Sequence, residues 1–341
     1  MTAPAKAFIT GLAGLTLSDD ERAFLAAERP FALILFRRNI DTPDQIRTLV
    51  AEAREAAGDA GLPVLIDQEG GRVQRLGPPR WRRYPPGRVF GTLYAADPAA
   101  GLEAARLGAR LIADDLTALG ITVDCLPVLD VPVPGAHDII GDRAYGLTAD
   151  TIIPLARAAC EGLLAGGVLP VIKHIPGHGR AGADSHLELP VVDTDAATLA
   201  ATDFVPFKAL ADMPLAMTAH VVYRALDPER PATTSPTVIA DTIRGAIGFD
   251  GLLMSDDVSM QALSGTITER TRALFAAGCD LALHCNGKFD EMVAVAAETP
   301  VLAGRALERA EAARALLTAP AAFDRAAAEA RFDALIARAV A

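Results

Sequence analysis

Paired cysteines are absent from this sequence. Its four cysteines are scattered, and no two of them form a C-x-x-C pair: Cys125, Cys160, Cys279 and Cys285. This pattern favours buried free thiols, which suit a reducing compartment. The short apolar stretch near the N-terminus has no small-residue cleavage site, and the acidic Asp19-Asp20-Glu21 follows it at once. We therefore predict no signal peptide and a cytoplasmic location.

An excess of positive charge and long apolar runs are absent as well. Lys and Arg total 32 against 43 Asp and Glu, which gives a formal net charge of −11. An acidic surface argues against nucleic acid or an anionic membrane as a partner. No segment has the roughly 20 uninterrupted apolar residues that span a bilayer. We expect a soluble monomer that acts on a small neutral substrate, or on one bound by local cations.

Short apolar runs alternate with longer alanine-rich stretches along the chain. Eight runs are candidate strands: Phe8–Gly11, Phe31–Phe36, Pro63–Ile66, Thr122–Leu126, Leu169–Lys173, Leu215–Thr218, Leu252–Ser255 and Asp280–His284. This pattern predicts that 1–341 is a single α/β domain, a (β/α)8 TIM-type barrel with extra C-terminal helices. A doubly wound open sheet is the alternative fold, but no phosphate-loop glycine pattern follows the first predicted strand.

The stretches between the strands predict helices. The candidates are Ser18–Glu28, Pro43–Ala57, Ala99–Leu119, Ala149–Ala165, Ala196–Asp212, Thr237–Ile247 and Thr268–Ala277. Ser18 with Glu21 three residues later matches a capping box. The tail, 301–341, has the composition of two helices broken near Pro320. The basic, proline-rich stretch 76–94 is predicted to cover the barrel, with contact to an anionic substrate as the alternative.

Several predicted strands end in polar residues. The third ends in the run 67–72, the fifth in Lys173-His174, the sixth at His220, the seventh in 255–257 and the eighth near His284 and Asn286. Because barrel enzymes carry their chemistry on the loops after the strand C-termini, these residues predict an active site at that end of the barrel.

The densest polar stretch is 173–186, K-H-I-P-G-H-G-R-A-G-A-D-S-H, which holds half of the chain's six histidines. Asp184 and His186 are two apart, so in an extended loop they face the same side. Asp184 could then orient the His186 ring as a general acid/base. The alternatives are an incidental polar loop and a metal site built on His174, His178 and His186. The spacing matches no known zinc pattern, and Lys173 would repel a cation.

Asp256 is the carboxylate whose position in the sequence most clearly indicates a catalytic role. It follows a run that should be buried in the barrel wall, where a carboxylate can be desolvated and aimed as a covalent nucleophile. The alternative is capping of the helix that follows. For Asp257 we predict either this capping role or support of the neighbouring site residues. Lys173, Arg75 and Arg143 can donate hydrogen bonds to substrate oxygens. Asp67 can accept hydrogen bonds from hydroxyl groups, as a carboxylate that holds a sugar does.

Five pieces of the sequence together resemble glycoside hydrolase family 3, and within it the single-domain bacterial β-N-acetylglucosaminidases. They are I-D-Q-E-G-G-R-V-Q-R-L at 66–76, I-G-D-R-A-Y-G at 140–146, K-H-I-P-G-H-G at 173–179, D-S-H at 184–186 and M-S-D-D-V-S-M at 254–260. The resemblance runs from about Phe31 to Asn286.

The resemblance implies a role for each matching residue. Asp256 corresponds to the nucleophile, and His186 paired with Asp184 corresponds to the acid/base on a mobile loop. The clamp on the terminal sugar corresponds to Asp67, Arg75, Arg143, Lys173 and His174. The implied reaction is retaining exo-hydrolysis of β-linked N-acetylglucosamine, without metal or cofactor. In Gram-negative relatives the substrates are cytoplasmic muropeptides, GlcNAc-1,6-anhydroMurNAc with or without peptide.

Three alternatives to a retaining β-N-acetylglucosaminidase remain open at this point. The same site could transfer the sugar to phosphate, since a His/Asp acid/base carries less negative charge than a glutamate. A metal-dependent barrel hydrolase would use His174, His178 and His186. A non-catalytic sugar-binding barrel would bind without turnover.

Overall fold

The structure is a computed structural model that describes residues 4–185 and 187–340. Its centre is a closed barrel of eight parallel strands. The strands are β1 Lys6–Gly11, β2 Pro30–Leu35, β3 Val64–Ile66, β4 Val123–Asp124, β5 Leu169–Ile175, β6 Leu215–Thr218, β7 Leu252–Asp257 and β8 Leu281–His284. The barrel closes where Phe8 of β1 pairs with Ala282 of β8. The predicted barrel is confirmed strand by strand, and the open-sheet alternative is wrong.

Helices surround the barrel. They are α1 Asp19–Glu28, α2 Pro43–Ala57, α3 Gly87–Ala96, α4 Pro98–Thr117, α5 Ala149–Ala165, α6 Ala196–Ala201, α7 Phe204–Ala209, α8 Ile267–Ala277, α9 Phe289–Glu298, α10 Gly304–Ala315 and α11 Arg325–Val340, with a π-helix at Val238–Ala246 and 3-10 turns at Arg37–Asn39, Gly141–Arg143 and Ala232–Thr234. The helices α10 and α11 confirm the two predicted in the tail. In the described part of the chain, no helix has the length and apolar character needed to cross a bilayer.

The predicted helix boundaries hold best where local capping decides them. Ser18 and Glu21 form the expected capping box of α1. The predicted helix 196–212 is instead two short helices, because the Asp203 side chain turns inward between them. Its Oδ2 accepts from Arg180 Nε at 2.7 Å and from Thr202 Oγ1 at 2.7 Å. The helices α3 and α9 were not predicted.

The unpredicted helix α3 covers one side of the barrel and lies directly on a segment of the site. A Cβ atom at Gly91 would lie 1.8 Å from the Tyr145 carbonyl oxygen, and one at Gly87 would lie 2.3 Å from the Arg143 carbonyl oxygen. These glycines weaken the helical signal in the sequence, but only glycine permits this close approach. Tyr84, before α3, donates to Asp115 at 2.7 Å. The 76–94 stretch therefore packs on the helices around the barrel and on the segment that carries Arg143.

Two apolar layers stabilise the barrel. One lies inside it and includes Ile9, Leu65 and Met254, and the larger one lies between the strands and the helices. The four cysteines are buried and free, as predicted. Because the interior is packed, polar side chains reach solvent only where the strands end.

Candidate active site

A cavity of about 380 Å³ opens at the C-terminal ends of the strands. Its lining includes six of the predicted site residues: Asp67, Arg75, Arg143, Lys173, His174 and Asp256. The lining also includes His178 and Ser185 from the loop after β5, and Asp257 from β7. Asp184 is half-buried beside Ser185 but is not among the lining residues. His186 lies outside the described residues.

A buried cation joins two carboxylates on the floor of the cavity. Lys173 Nζ lies 3.0 Å from Asp67 Oδ1 and 2.7 Å from Glu69 Oε1. Burial alone would raise the pKa of both carboxyls. The positive charges outweigh it, holding the pKa of Asp67 far below its usual range through Lys173 and Arg75, and lowering that of Glu69 to about 2 through Arg143 and Lys173. Both carboxylates therefore stay ionised. Asp67 lines the cavity and can accept hydrogen bonds from sugar hydroxyls, whereas Glu69 is not among the lining residues and fixes Lys173 and Arg143.

Two arginines extend this cluster towards the walls. Arg143 donates through Nε and Nη2 to the two oxygens of Glu69, both at 2.8 Å, in a bidentate pair. Arg75 Nη2 donates to Asp67 Oδ2 at 2.8 Å, and its guanidinium lies 4.9 Å from the centre of the Phe36 ring. The paired geometry fixes the guanidinium planes against the cavity.

Glu69 was not among the predicted site residues. It belongs to the same polar run as Asp67, but its partner Arg143 is 74 residues away in the sequence. The polar run 67–72 was the only feature of the sequence that could have indicated a role for Glu69.

Asp130 was missed as well, and it organises the two histidines of the loop after β5. Its Oδ2 lies 2.7 Å from His174 Nδ1, and its Oδ1 accepts from the backbone N–H groups of His174 and His178 at 3.2 and 2.6 Å. Burial opposes the charge, but the two histidines and these hydrogen bonds lower the Asp130 pKa. The carboxylate therefore keeps a proton on His174 Nδ1, which fixes that ring at the cavity wall.

His178 joins the same loop to Ser185. Its Nε2 lies 3.1 Å from Ser185 Oγ, and among the described residues its buried Nδ1 has no hydrogen-bond partner. Burial lowers the pKa of His178 to about 4, with the neighbouring His174 adding to the effect. The imidazole is therefore neutral near pH 7.

Asp256 and Asp257 end β7, which lies across the barrel from β3, the strand that Asp67 follows. The backbone N–H of Asp257 donates to Asp256 Oδ1 at 2.8 Å. Asp257 itself accepts from Ser259 N–H at 3.0 Å, Ser259 O–H at 2.6 Å and Cys285 N–H at 3.2 Å. Asp257 caps no helix, because the next helix begins at Ile267 and is capped by Thr266. Its hydrogen bonds instead tie the turn after β7 to the end of β8, which is the supporting role considered for it, and both Asp256 and Asp257 line the cavity.

The polar residues predicted at the ends of strands six and eight do not line the cavity. His220 is fully buried and lies 3.0 Å from the Asp257 carbonyl oxygen. His284 Nε2 lies 3.3 Å from Glu291 Oε2, and Asn286 donates to the same oxygen at 2.6 Å. These side chains stabilise neighbouring segments.

Within residues 4–185 and 187–340, no group of three or more His, Cys, Asp and Glu side chains is arranged to hold a metal ion. His174 Nδ1 and His178 Nε2 already have protein partners. The metal-dependent alternative gains no support from the described residues.

Comparison with known proteins shows the family to which the chain belongs. Residues 9–314 match the Glycosyl hydrolase family 3 N terminal domain. The chain is 41% identical over 280 residues to the β-hexosaminidase of Alkalilimnicola ehrlichii, covering 81% of this chain and 79% of that protein.

Two solved structures are similar in fold. A glycoside hydrolase family 3 β-N-acetylglucosaminidase from Paenibacillus sp. str. FPU-7 has a TM-score of 0.85 and 31% identity, covering 98% of this chain and 66% of that longer one. NagZ from Neisseria gonorrhoeae, in complex with N-trifluoroacetyl-D-glucosamine, has a TM-score of 0.85 and 32% identity, covering 98% of this chain and 97% of that one. With a barrel and a charged cavity of this kind, the chain belongs to glycosyl hydrolase family 3 and is an enzyme of the β-hexosaminidase type.

Proposed function

We propose that this enzyme removes terminal β-linked N-acetylglucosamine by a retaining mechanism, with Asp256 as the nucleophile. The observation that carries the proposal is the arrangement of one cavity. Asp256 lies at one side, and Asp67, Arg143 and Lys173 lie on the floor, where the buried Glu69 pairs with Arg143 and Lys173. Ionised carboxylates and paired cations suit the hydroxyl and acyl oxygens of a sugar. Asp256 then faces the ring from a different strand.

The reaction has two steps, the formation of a glycosyl-enzyme ester and its hydrolysis. A carboxylate oxygen of Asp256 attacks C1 of the sugar, a C1–O(Asp256) bond forms, and the bond from C1 to the leaving oxygen breaks. His186 as imidazolium gives its proton to the leaving oxygen. Water then attacks C1, His186 takes the water's proton, and the ester bond to Asp256 breaks. The products are the free sugar with retained β configuration and a restored Asp256 carboxylate.

Asp184 and His186 supply the proton in this proposal. A neutral imidazole has no proton to give to the leaving oxygen without becoming an anion, so the working form is the imidazolium. A carboxylate partner raises the imidazole pKa and favours that form. Ser185, between the two residues, is buried at the cavity wall against His178. This contact supports a loop that delivers its neighbours to the cavity.

The natural substrates we propose are muropeptides, GlcNAc-1,6-anhydroMurNAc with or without peptide, released in the cytoplasm during peptidoglycan recycling. The buried, unpaired cysteines suit that compartment. The N-trifluoroacetyl-D-glucosamine complex of the Neisseria gonorrhoeae relative supports an N-acylglucosamine in the sugar site.

The test measures turnover of 4-nitrophenyl β-N-acetylglucosaminide beside the β-glucoside, in phosphate and in a phosphate-free buffer with EDTA. We expect preference for the N-acetyl sugar, free sugar as the product in both buffers, and no effect of EDTA. Sugar 1-phosphate as the main product would establish a phosphorylase instead. Loss of activity with EDTA would favour the metal-dependent alternative, and binding without turnover would favour the sugar-binding barrel.

A further inference from the structure

The strand ladder on both sides of β7 is interrupted at Asp256, although pairing with β8 resumes where Asp257 lies opposite Leu283. Pairing of β7 with β6 ends at Met254 opposite Met217. Pairing with β8 shifts register between Met254 and Asp257. A β-bulge of this kind re-aims side chains but leaves local backbone groups without ladder partners. Other groups must therefore fix the orientation of this segment.

Three fully buried side chains fill that role. Thr218 Oγ1 accepts from the backbone N–H of Asp256 at 3.3 Å. Thr218 Oγ1 and Thr233 Oγ1 lie 2.7 Å apart, and Thr233 Oγ1 lies 2.7 Å from His220 Nδ1. His220 Nε2 lies 3.0 Å from the Asp257 carbonyl oxygen. The chain of contacts thus runs from the N–H of Asp256 to the C=O of Asp257.

The chemistry of the groups determines which atom donates and which accepts in each of these hydrogen bonds. A carbonyl oxygen only accepts, so His220 Nε2 must donate to Asp257. Burial lowers the His220 pKa, so the ring is neutral and its Nδ1 is an acceptor. Thr233 then donates to Nδ1, and Thr218 donates to Thr233. The Ala219 carbonyl lies 3.1 Å from Thr233 Oγ1, a longer contact than the one to His220.

The two ends of this series of hydrogen bonds are the N–H of Asp256 and the C=O of Asp257. They hold the peptide units that precede and follow the Asp256–Asp257 peptide bond. The N–H of that bond donates to Asp256 Oδ1 at 2.8 Å. Rotation of either outer peptide unit would turn this N–H and the carboxylate together. Resting on the proposed role of Asp256, we propose that Thr218, Thr233 and His220 are positioning residues that aim its carboxylate at C1 of the sugar.

The test compares Thr218→Val and Thr233→Val with Thr218→Ser and Thr233→Ser. Valine removes the hydroxyl at similar volume, and serine restores it. A control variant, Thr271→Val, changes a buried threonine whose hydroxyl donates within its own helix to Ile267 at 2.8 Å. His220→Gln keeps a donor near the Nε2 position, and His220→Leu does not.

The principal readout is the rate at which a slow fluorinated N-acetylglucosaminyl donor labels Asp256, followed by intact-protein mass spectrometry. We expect the valine variants and His220→Leu to label roughly 10²-fold more slowly, as for a displaced reacting group. The serine variants and His220→Gln should recover most of the rate, and Thr271→Val should label as the wild type does. Affinity for free N-acetylglucosamine, measured by calorimetry, should stay unchanged because the floor cluster is intact.

Equal losses in the valine and serine variants, or wild-type labelling of the valine variants, would overturn the positioning role. If one valine variant fails to fold, the other and the His220 pair decide the question. Asp256→Ala separates this result from the proposed function. Persistent turnover by Asp256→Ala would remove the nucleophile itself, whereas an inactive Asp256→Ala beside fully active valine variants would remove only the positioning chain.

Discussion

The floor of the cavity and its nucleophile side are built by opposite means. On the floor, Lys173 and Arg143 hold Asp67 and Glu69 through charged contacts of 2.7 to 3.0 Å. Beneath Asp256, the holding groups are two threonine hydroxyls and a neutral imidazole. A group that binds hydroxyls works best when locked and ionised. The threonine hydroxyls and the imidazole hold the backbone on either side of the proposed nucleophile through neutral hydrogen bonds.

The largest expected effect comes from removing the carboxylate on the nucleophile side. Asp256→Ala should lower turnover by on the order of 10⁴-fold or more, since no covalent intermediate can form. Binding of N-acetylglucosamine should survive, because the floor is untouched. Steady-state kinetics and calorimetry measure the two quantities. Residual activity within tenfold of wild type would remove Asp256 from its proposed role.

Removing the proposed acid/base, His186, should slow substrates with poor leaving groups the most. His186→Ala should slow cleavage of a disaccharide by roughly 10²–10⁴-fold, because an alkoxide leaves poorly without a proton. Aryl glycosides with acidic leaving groups should lose much less in the bond-breaking step. A plot of the first-step rate against leaving-group pKa measures the difference. Equal losses across the series would exclude His186 as the acid.

A substitution on the floor of the cavity should lower both the free energy of unfolding and the affinity for the sugar. Lys173→Met removes the cation that Asp67 and Glu69 share and leaves each carboxylate with one arginine partner, which should cost up to about 3 kcal/mol. We expect that loss in urea unfolding, together with weaker sugar binding. The control is Lys288→Met, because Lys288 is 70% exposed in its pair with Glu291 and should change stability by less than about 1 kcal/mol. Similar small effects for both lysines would contradict the account of the floor.

The smallest expected effect is a pH dependence centred on His178. Its pKa is about 4 in the folded chain and about 6.5 when unfolded. The unfolded chain therefore takes up the proton first, so the free energy of unfolding should fall as pH drops from about 6.5 to about 4, by up to roughly 3 kcal/mol. Below that the contribution stays lost. Urea unfolding of His178→Gln and wild type across this range should isolate the slope.

The exposed His137 provides the control for that measurement. His137→Gln should keep the wild-type pH slope, since the substitution leaves the buried surroundings of His178 unchanged. A slope that persists in His178→Gln would assign the pH dependence to other groups.

How far the sequence predicts the site depends on the range of the interactions involved. The strand-end residues Asp67, Lys173, His174 and Asp256 were expected in one place because parallel strands of a barrel end at the same rim. The resemblance to glycoside hydrolase family 3 added Arg75 and Arg143. Glu69 and Asp130 were missed because their importance lies in partners 74 and 44 residues away. No local pattern encodes such a pairing.

The sequence by itself determined the barrel, since eight apolar runs at helical spacing have few other ways to bury their surface. It also determined which end would carry the chemistry. Only the tertiary structure decided that Glu69 shares Lys173 with Asp67, that Asp130 fixes His174, and that His220 lies beneath Asp256 instead of lining the cavity. These outcomes depend on burial and on distances between strands, and both arise only once the barrel closes.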